Sequence, residues 1–137
     1  MIDKNMPDKR TILVADDDIE DVELLQEVIL SKEPELYIHS VSNGKQVLEY
    51  LASCTDEALP GLIILDYNMP ELTGSEVLSQ MAEEPRYRPI PKLILSTSNA
   101  YIHMQECIKN GATEYFVKPN NMRELEEMTE KMLGLYA

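Results

Sequence analysis

Residues Leu62–Gly74 read LIILDYNMPELTG. Four apolar residues run straight into a carboxylate, Asp66. The chain then turns through Met69-Pro70 to a glycine at 74. Consecutive Leu and Ile with no polar alternation suit a strand covered on both faces, as in a parallel sheet. A carboxylate ending such a strand is costly unless it is paired, hydrated or bound to a cation. Asp66 therefore either caps a turn or stands where negative charge is used.

The same kind of run recurs at Ile12–Ala15, Leu36–Val41, Leu93–Leu95 and Tyr115–Val117. Amphipathic stretches lie between. Ile19, Val22, Leu25 and Ile29 recur at helical spacing behind Asp18, a plausible N-cap. Val47, Leu48 and Leu51 follow Asn43-Gly44, and Val77, Leu78 and Met81 follow Gly74. Met104, Cys107 and Ile108 follow Ser98-Asn99. Met122, Leu125, Met128 and Met132 follow Asn120-Asn121, where Asn121 and Glu124 have capping-box spacing. These methionines read as core stripe, filling gaps as flexible thioethers do. The order βαβαβαβαβα demands right-handed crossovers and an open parallel sheet with helices on both faces. Ser53–Gly61 and Glu84–Pro91 read as loops, the second stiffened by Pro85, Pro89 and Pro91.

Composition narrows the function. The chain has 137 residues, 44% hydrophobic, with five glycines and eight prolines: one domain with a real core rather than a disordered composition. A net charge of -13 argues against nucleic-acid backbones and anionic lipid, which require basic patches. The first ten residues, MIDKNMPDKR, lack the apolar stretch of a signal peptide and read as a flexible segment. No run approaches the roughly 18 apolar residues of a membrane span. Cys54 and Cys107 stand alone and read as reduced thiols of a cytoplasmic protein. His39 and His103 are isolated and read as core or surface residues rather than metal ligands.

In an open α/β sheet the functional crevice lies beyond the carboxyl ends of the strands. Strand one ends in Asp16-Asp17-Asp18, strand three in Asp66, strand four in Ser96-Thr97-Ser98 and strand five in Lys118-Pro119. Strand two ends in Ser42-Asn43-Gly44, an ordinary turn. Three carboxylates converging from two strand ends repel one another, and a divalent cation removes that penalty. Oxygen-only ligands favour magnesium or another hard ion. A hydroxyl and an ammonium beside Asp66 complete a set suited to a phosphoryl group: the carboxylate attacks, cation and lysine neutralise charge, and the hydroxyl donates.

These residues carry a resemblance. ILVADDD, LIILDYNMPELTG, LILSTSN and GATEYFVKP resemble the receiver domain of bacterial two-component response regulators, of the stand-alone chemotaxis-regulator type. The likeness runs from about Thr11 to the last helix. It implies a flavodoxin-like (βα)5 fold with a doubly wound sheet of order 2-1-3-4-5, the receiver domain spanning residues 11–137. Asp66 matches the phosphoacceptor. Asp16 and Asp17 match the acidic pair that holds magnesium with Asp66, the Asn68 backbone carbonyl being a further ligand. Ser96 matches the switch hydroxyl, Lys118 the lysine before a cis proline (here Pro119), and Tyr115 the aromatic switch position. By sequence pattern alone Tyr115 reads as core.

The implied function is a phosphoacceptor switch rather than an enzyme. A sensor histidine kinase or phosphotransfer protein supplies the phosphoryl group. The implied output is a protein target at the face of helix four, strand five and helix five, around Tyr101, Met104, Lys109, Tyr115, Asn120 and Arg123. The sequence departs from the family at Asn120, often an aromatic, and in a longer segment before strand three. Output domains usually follow helix five, whereas this sequence stops at Ala137. Output is then a binding event, or the chain is a fragment. Three other readings fit the sequence less well. An aspartyl-phosphate phosphatase needs a second Asp as general acid where Asn68 stands. A flavin module needs a phosphate-binding loop where Asp16-Asp17-Asp18 would repel it. A purely structural adaptor does not need the complete constellation.

Overall fold

The computed structural model describes residues 10–136. Of the segment expected to be flexible, only Arg10 falls among the described residues. The elements are β1 (Thr11–Ala15), α1 (Ile19–Lys32), β2 (Tyr37–Val41), α2 (Gly44–Ser53), β3 (Leu62–Asp66), α3 (Gly74–Met81), β4 (Lys92–Ser96), α4 (Tyr101–Lys109), β5 (Glu114–Val117) and α5 (Met122–Leu133). The strands form one sheet in the order β2-β1-β3-β4-β5, with every pairing parallel. The two segments read as loops each hold one short 3-10 turn, Asp56–Ala58 and Pro85–Tyr87.

Alternation along the strands divides the core in two. Leu13, Ala15, Ile63, Leu65 and Ile94 face α2, α3 and α4, meeting Val47, Leu51, Val77, Leu78, Met81 and Cys107. Ile12, Val14, Leu62, Ile64, Leu93 and Leu95 face α1 and α5, meeting Val22, Leu25, Ile29, Leu125, Met128 and Met132. Burying each such side chain is worth about 1.5–3 kcal/mol. Only β1, β3 and β4 are buried along their whole length. The edge strands β2 and β5 carry exposed residues, Tyr37 and Val117 among them.

The core stripes begin later than the sequence pattern places them. Ile19 and Met122 are exposed. Each is the first residue of its helix, and helical side chains lean toward the N-terminus, so these two project past the sheet edge. The caps are chemical. Asp18 accepts the N–H groups of Glu20 and Asp21, and Thr73 forms a full capping box with Glu76. Asn121 accepts the Glu124 N–H, but the Glu124 carboxylate returns to the N–H of Asn120, one residue before the cap.

Candidate functional site

Strand alternation places the acids. Asp16 and Asp66 continue the register of Ile12, Val14, Leu62 and Ile64, one step past the apolar run. Both carboxylates therefore emerge at the carboxyl edge on the α1–α5 side. β1 and β3 are neighbours where the strand order reverses, the crevice position of this topology. Asp16 and Asp66 are buried, at 7% and 6% exposure, and Asp17 is exposed in the turn. Carboxylate oxygens of all three lie within 4.8 Å of one another. Asp16 Oδ1 accepts the Asp18 N–H at 2.9 Å, and Asp66 Oδ1 accepts the Asn68 N–H at 3.3 Å.

Lys118 crosses from the end of β5, its own N–H bonded to the Ser96 carbonyl. Its Nζ lies 3.1 Å from Asp16 Oδ2, 3.4 Å from Asp66 Oδ2 and 3.0 Å from Asp21 Oδ2. Burial opposes the lysine's charge, but Asp21, Asp16 and Asp66 together outweigh it and raise its pKa. Burial pushes the Asp66 carboxyl from 3.8 up to about 7. The Asp16 carboxyl adds to this through a hydrogen bond and repulsion, and Lys118 and the Asn68 N–H offset it in part. One ammonium does not balance this many carboxylates. The donors are hard oxygens, clustered and largely desolvated, so the set fits a divalent cation such as magnesium.

Ser96 faces the other way, with Ile94, and is wholly buried. Its Oγ accepts the Ser98 N–H at 3.0 Å. The Tyr115 hydroxyl donates to the Ser98 carbonyl at 2.8 Å, so the two expected switch residues meet through one loop residue. Ser98 Oγ also lies 2.9 Å from His103 Nδ1 on α4. The His103 ring stacks on Tyr67 at 5.1 Å, and the Tyr67 hydroxyl donates to Glu106 at 3.1 Å. The residue after Asp66 is thus tied to α4.

The loop after β3 explains its glycine. A Cβ at Gly74 would sit 2.9 Å from the Asp66 carbonyl oxygen and 3.2 Å from the Tyr67 Cα. The Gly74 N–H meanwhile donates to the Tyr67 carbonyl at 2.8 Å. The chain returns against the backbone that carries Asp66, and only glycine allows that approach.

One expectation fails. The resemblance implies a cis Lys118-Pro119 bond, but the described residues contain no cis peptide bond. The Lys118 ammonium reaches its carboxylates through a trans linkage. The sequence reading also missed Asp21, which looks like an ordinary acid in a first helical turn, and the Ser98–His103–Tyr67–Glu106 chain, whose members are scattered in sequence. The one signal for Asp21 was its place one turn beyond a strand end already rich in acid.

A doubly wound sheet with these carboxylates and this lysine at its switch point defines a class, and comparison with known proteins agrees. The chain belongs to the response regulator receiver domain family, which it matches over residues 12–130. It is 30% identical to two-component response regulator ORR5 of Oryza sativa subsp. japonica, covering 89% of this chain and 87% of that protein. It is 28% identical to two-component response regulator ARR7 of Arabidopsis thaliana, covering 89% of this chain but only 62% of ARR7. Among solved structures, the phosphorylated cyanobacterial phytochrome response regulator RcpA superposes with a TM-score of 0.84 at 25% identity, covering 94% of each chain. The Mn(2+)-bound form of response regulator Rcp1 gives 0.79 at 26% identity, covering 89% of this chain and 90% of that one.

Proposed function

We propose that this receiver domain, residues 11–137, is a phosphoacceptor switch in which Asp66 takes a phosphoryl group from a phosphohistidine. The donor is a sensor histidine kinase or a phosphotransfer protein. The observation that carries the reading is one ammonium, Lys118, within 3.4 Å of both Asp16 and Asp66 in a cluster of three carboxylates. An Asp66 oxygen attacks phosphorus and forms a P–O bond. The P–N bond to the donor imidazole breaks, and its electron pair stays on the nitrogen. Lys118 draws the charge building on the phosphoryl oxygens, and the Ser96 hydroxyl donates to one of them. Held by Asp16, Asp17 and Asp66 with the Asn68 carbonyl, a magnesium ion would supply further positive charge against carboxylates and phosphoryl group alike.

The switch follows from the same contacts. If Ser96 moves toward a phosphoryl group, Ser98 moves with it, and the Tyr115 hydroxyl loses its acceptor. Two packings a few kcal/mol apart suffice for a phosphoryl group to reverse their order. The face of α4, β5 and α5 changes with them, and a protein target reads it. Tyr101, Lys109, Asn120 and Arg123 are exposed there, and Met104 and Tyr115 are half-buried. Among the described residues both cysteines are free and no helix is long and apolar enough to cross a membrane; a cytoplasmic site of action fits them.

Intact-mass measurement after incubation with acetyl phosphate and magnesium tests the acceptor. The wild type gains about 80 Da, one phosphoryl unit, and Asp66→Asn gains none. EDTA stops the uptake. An undiminished adduct on Asp66→Asn moves the acceptor elsewhere. For the output, beryllofluoride, a phosphoryl mimic, shifts amide signals from the loops at Asp16 and Ser96 through to Tyr115 and α5. Shifts confined to the loops mean that this face carries no signal.

A further inference from the structure

We propose that Asp21 is a positioning residue, holding the Lys118 ammonium against α1 in a resting place that it leaves when Asp66 carries a phosphoryl group; this rests on the phosphoacceptor reading above. Lys118 is shared among three carboxylates. Its shortest contact, 3.0 Å, is to Asp21, and its longest, 3.4 Å, is to Asp66. The resting lysine is therefore held more closely by α1 than by the acceptor it is to assist.

Two features set Asp21 apart from the other acids. It lies outside the cluster of Asp16, Asp17 and Asp66. A cation taking oxygens of that cluster competes with Lys118 for Asp16 and Asp66 and leaves Asp21 as the lysine's undivided partner. Its position is also fixed independently of the site, because its N–H is tied to the Asp18 cap in the first turn of α1. The lysine has room to move. Asp21 and Lys118 both line a cavity of about 200 Å³ between α1 and α5, together with Val14, Val22, Leu25 and Leu95. A phosphoryl group brings up to two negative charges to Asp66. The ammonium then shifts from Asp21 toward the phosphoryl oxygens, and the Asp21 carboxylate faces the cavity without its partner.

Removing Asp21 takes away this competing hold. Asp21→Asn accelerates phosphoryl uptake from acetyl phosphate about fivefold, the size expected of one half-exposed ion pair. A charge effect alone has to be separated, because acetyl phosphate is an anion and the domain is acidic. Glu20→Gln removes the same charge one residue away, from an exposed side chain outside the Lys118 contacts, and changes the rate less than twofold. In a Lys118→Met background Asp21→Asn has no effect, since a double-mutant cycle isolates the pair. The side-chain ammonium signal of Lys118 in nitrogen-15 NMR moves in Asp21→Asn and stays in Glu20→Gln, with no phosphoryl donor present. Equal rates for Asp21→Asn and Glu20→Gln, an Asp21→Asn effect that survives Lys118→Met, or an unmoved lysine signal each overturn the inference while leaving Asp66 as acceptor. A wild type that takes up no phosphoryl group overturns the acceptor reading itself, and this inference with it.

Discussion

Two lysines, Lys92 buried and Lys118 half-buried, sit at opposite ends of this sheet. Lys92 opens β4 at the amino edge, 7% exposed, and its Nζ donates to the carbonyls of Tyr87 at 2.7 Å and Ile90 at 2.9 Å. Those neutral carbonyls tie down the turn before the strand, and burial lowers the pKa of this lysine. Lys118 follows β5 at the carboxyl edge and meets three carboxylates, which raise its pKa. At the amino edge the ammonium is satisfied by backbone carbonyls. The carboxyl edge collects more negative charge than its own cation balances, a surplus that suits a divalent ion.

Exchanging each lysine for methionine breaks the comparison most sharply. Lys118→Met lowers the rate of phosphoryl uptake about 100-fold, the scale of losing one charge-stabilising donor. Lys92→Met takes the ammonium from the Ile90 carbonyl, leaves the Tyr87 carbonyl with the Ile90 N–H alone, and destabilises the fold by about 1–3 kcal/mol. Its folded fraction takes up phosphoryl at the wild-type rate. Uptake kinetics beside urea denaturation checks both. A Lys92→Met protein with the kinetic defect of Lys118→Met would erase the distinction between the two edges.

Gly74 tests how closely the carboxyl edge is built. An alanine there presses on the Asp66 carbonyl at 2.9 Å and on Ile94 Cδ1 at 3.0 Å. Backbone cannot yield as a side-chain tip does, so Gly74→Ala costs about 2 kcal/mol, in the range for overpacking. It also displaces Asp66 and slows uptake. Circular dichroism melts with the uptake assay read both, and an unchanged melt would mean that the loop retreats freely.

Much of this was legible in sequence because it follows from alternation. Consecutive Leu and Ile reveal strands covered on both faces, and an acid directly after such a run must lie at the strand's carboxyl end, where function gathers. The places of Asp16 and Asp66 at the carboxyl edge are readable for that reason, and those of Ser96 and Lys118 because each closes or follows an apolar run. Asp21 was not, since a first-turn acid also suits the helix dipole, and its partner lies far along the chain. His103 was read as isolated, yet it sits between Ser98 and Tyr67, because the meeting of α4 with the β3–α3 loop has no periodic signature. The cis linkage at Pro119 rests on likeness alone, and the described residues contain no cis bond.

The surplus charge also has a pH signature. The Asp66 carboxyl rises from 3.8 to about 7, so between those values the folded protein holds a proton that the unfolded chain releases. Stability from this group is therefore lost as pH rises from about 4 to about 7. A neutral amide at position 66 escapes the loss. Each pKa unit corresponds to about 1.4 kcal/mol, and with relaxation of the site Asp66→Asn is more stable than wild type by about 2 kcal/mol at pH 8 in EDTA. The two proteins converge near pH 4, and magnesium narrows the gap at pH 8. Urea titrations at the two pH values measure it. A gap that widens on acidification would reverse the sign and place the strain on another group.

Backbone strain gives the smallest and most local contrast between the edges. Two described residues have positive φ, Glu71 at 73° beside the site and Gly111 at 112° at the far edge, before β5. Glu71 is the centre of a tight turn closed by the Leu72 N–H on the Pro70 carbonyl at 2.8 Å. A side chain in the left-handed region costs roughly 1–2 kcal/mol, which glycine does not incur. Glycine gives back part of that as extra freedom in the unfolded chain, so Glu71→Gly gains about 0.5 kcal/mol. At Gly111 a new Cβ meets nothing within 4 Å, so Gly111→Ala loses about 1 kcal/mol through backbone conformation alone. Urea denaturation in EDTA resolves both changes if the variants are run beside wild type. Opposite signs mean that the strained turn is kept at the site edge and relieved at the other. A loss of stability in Glu71→Gly would mean instead that the Glu71 side chain supports the loop enough to outweigh its own strain.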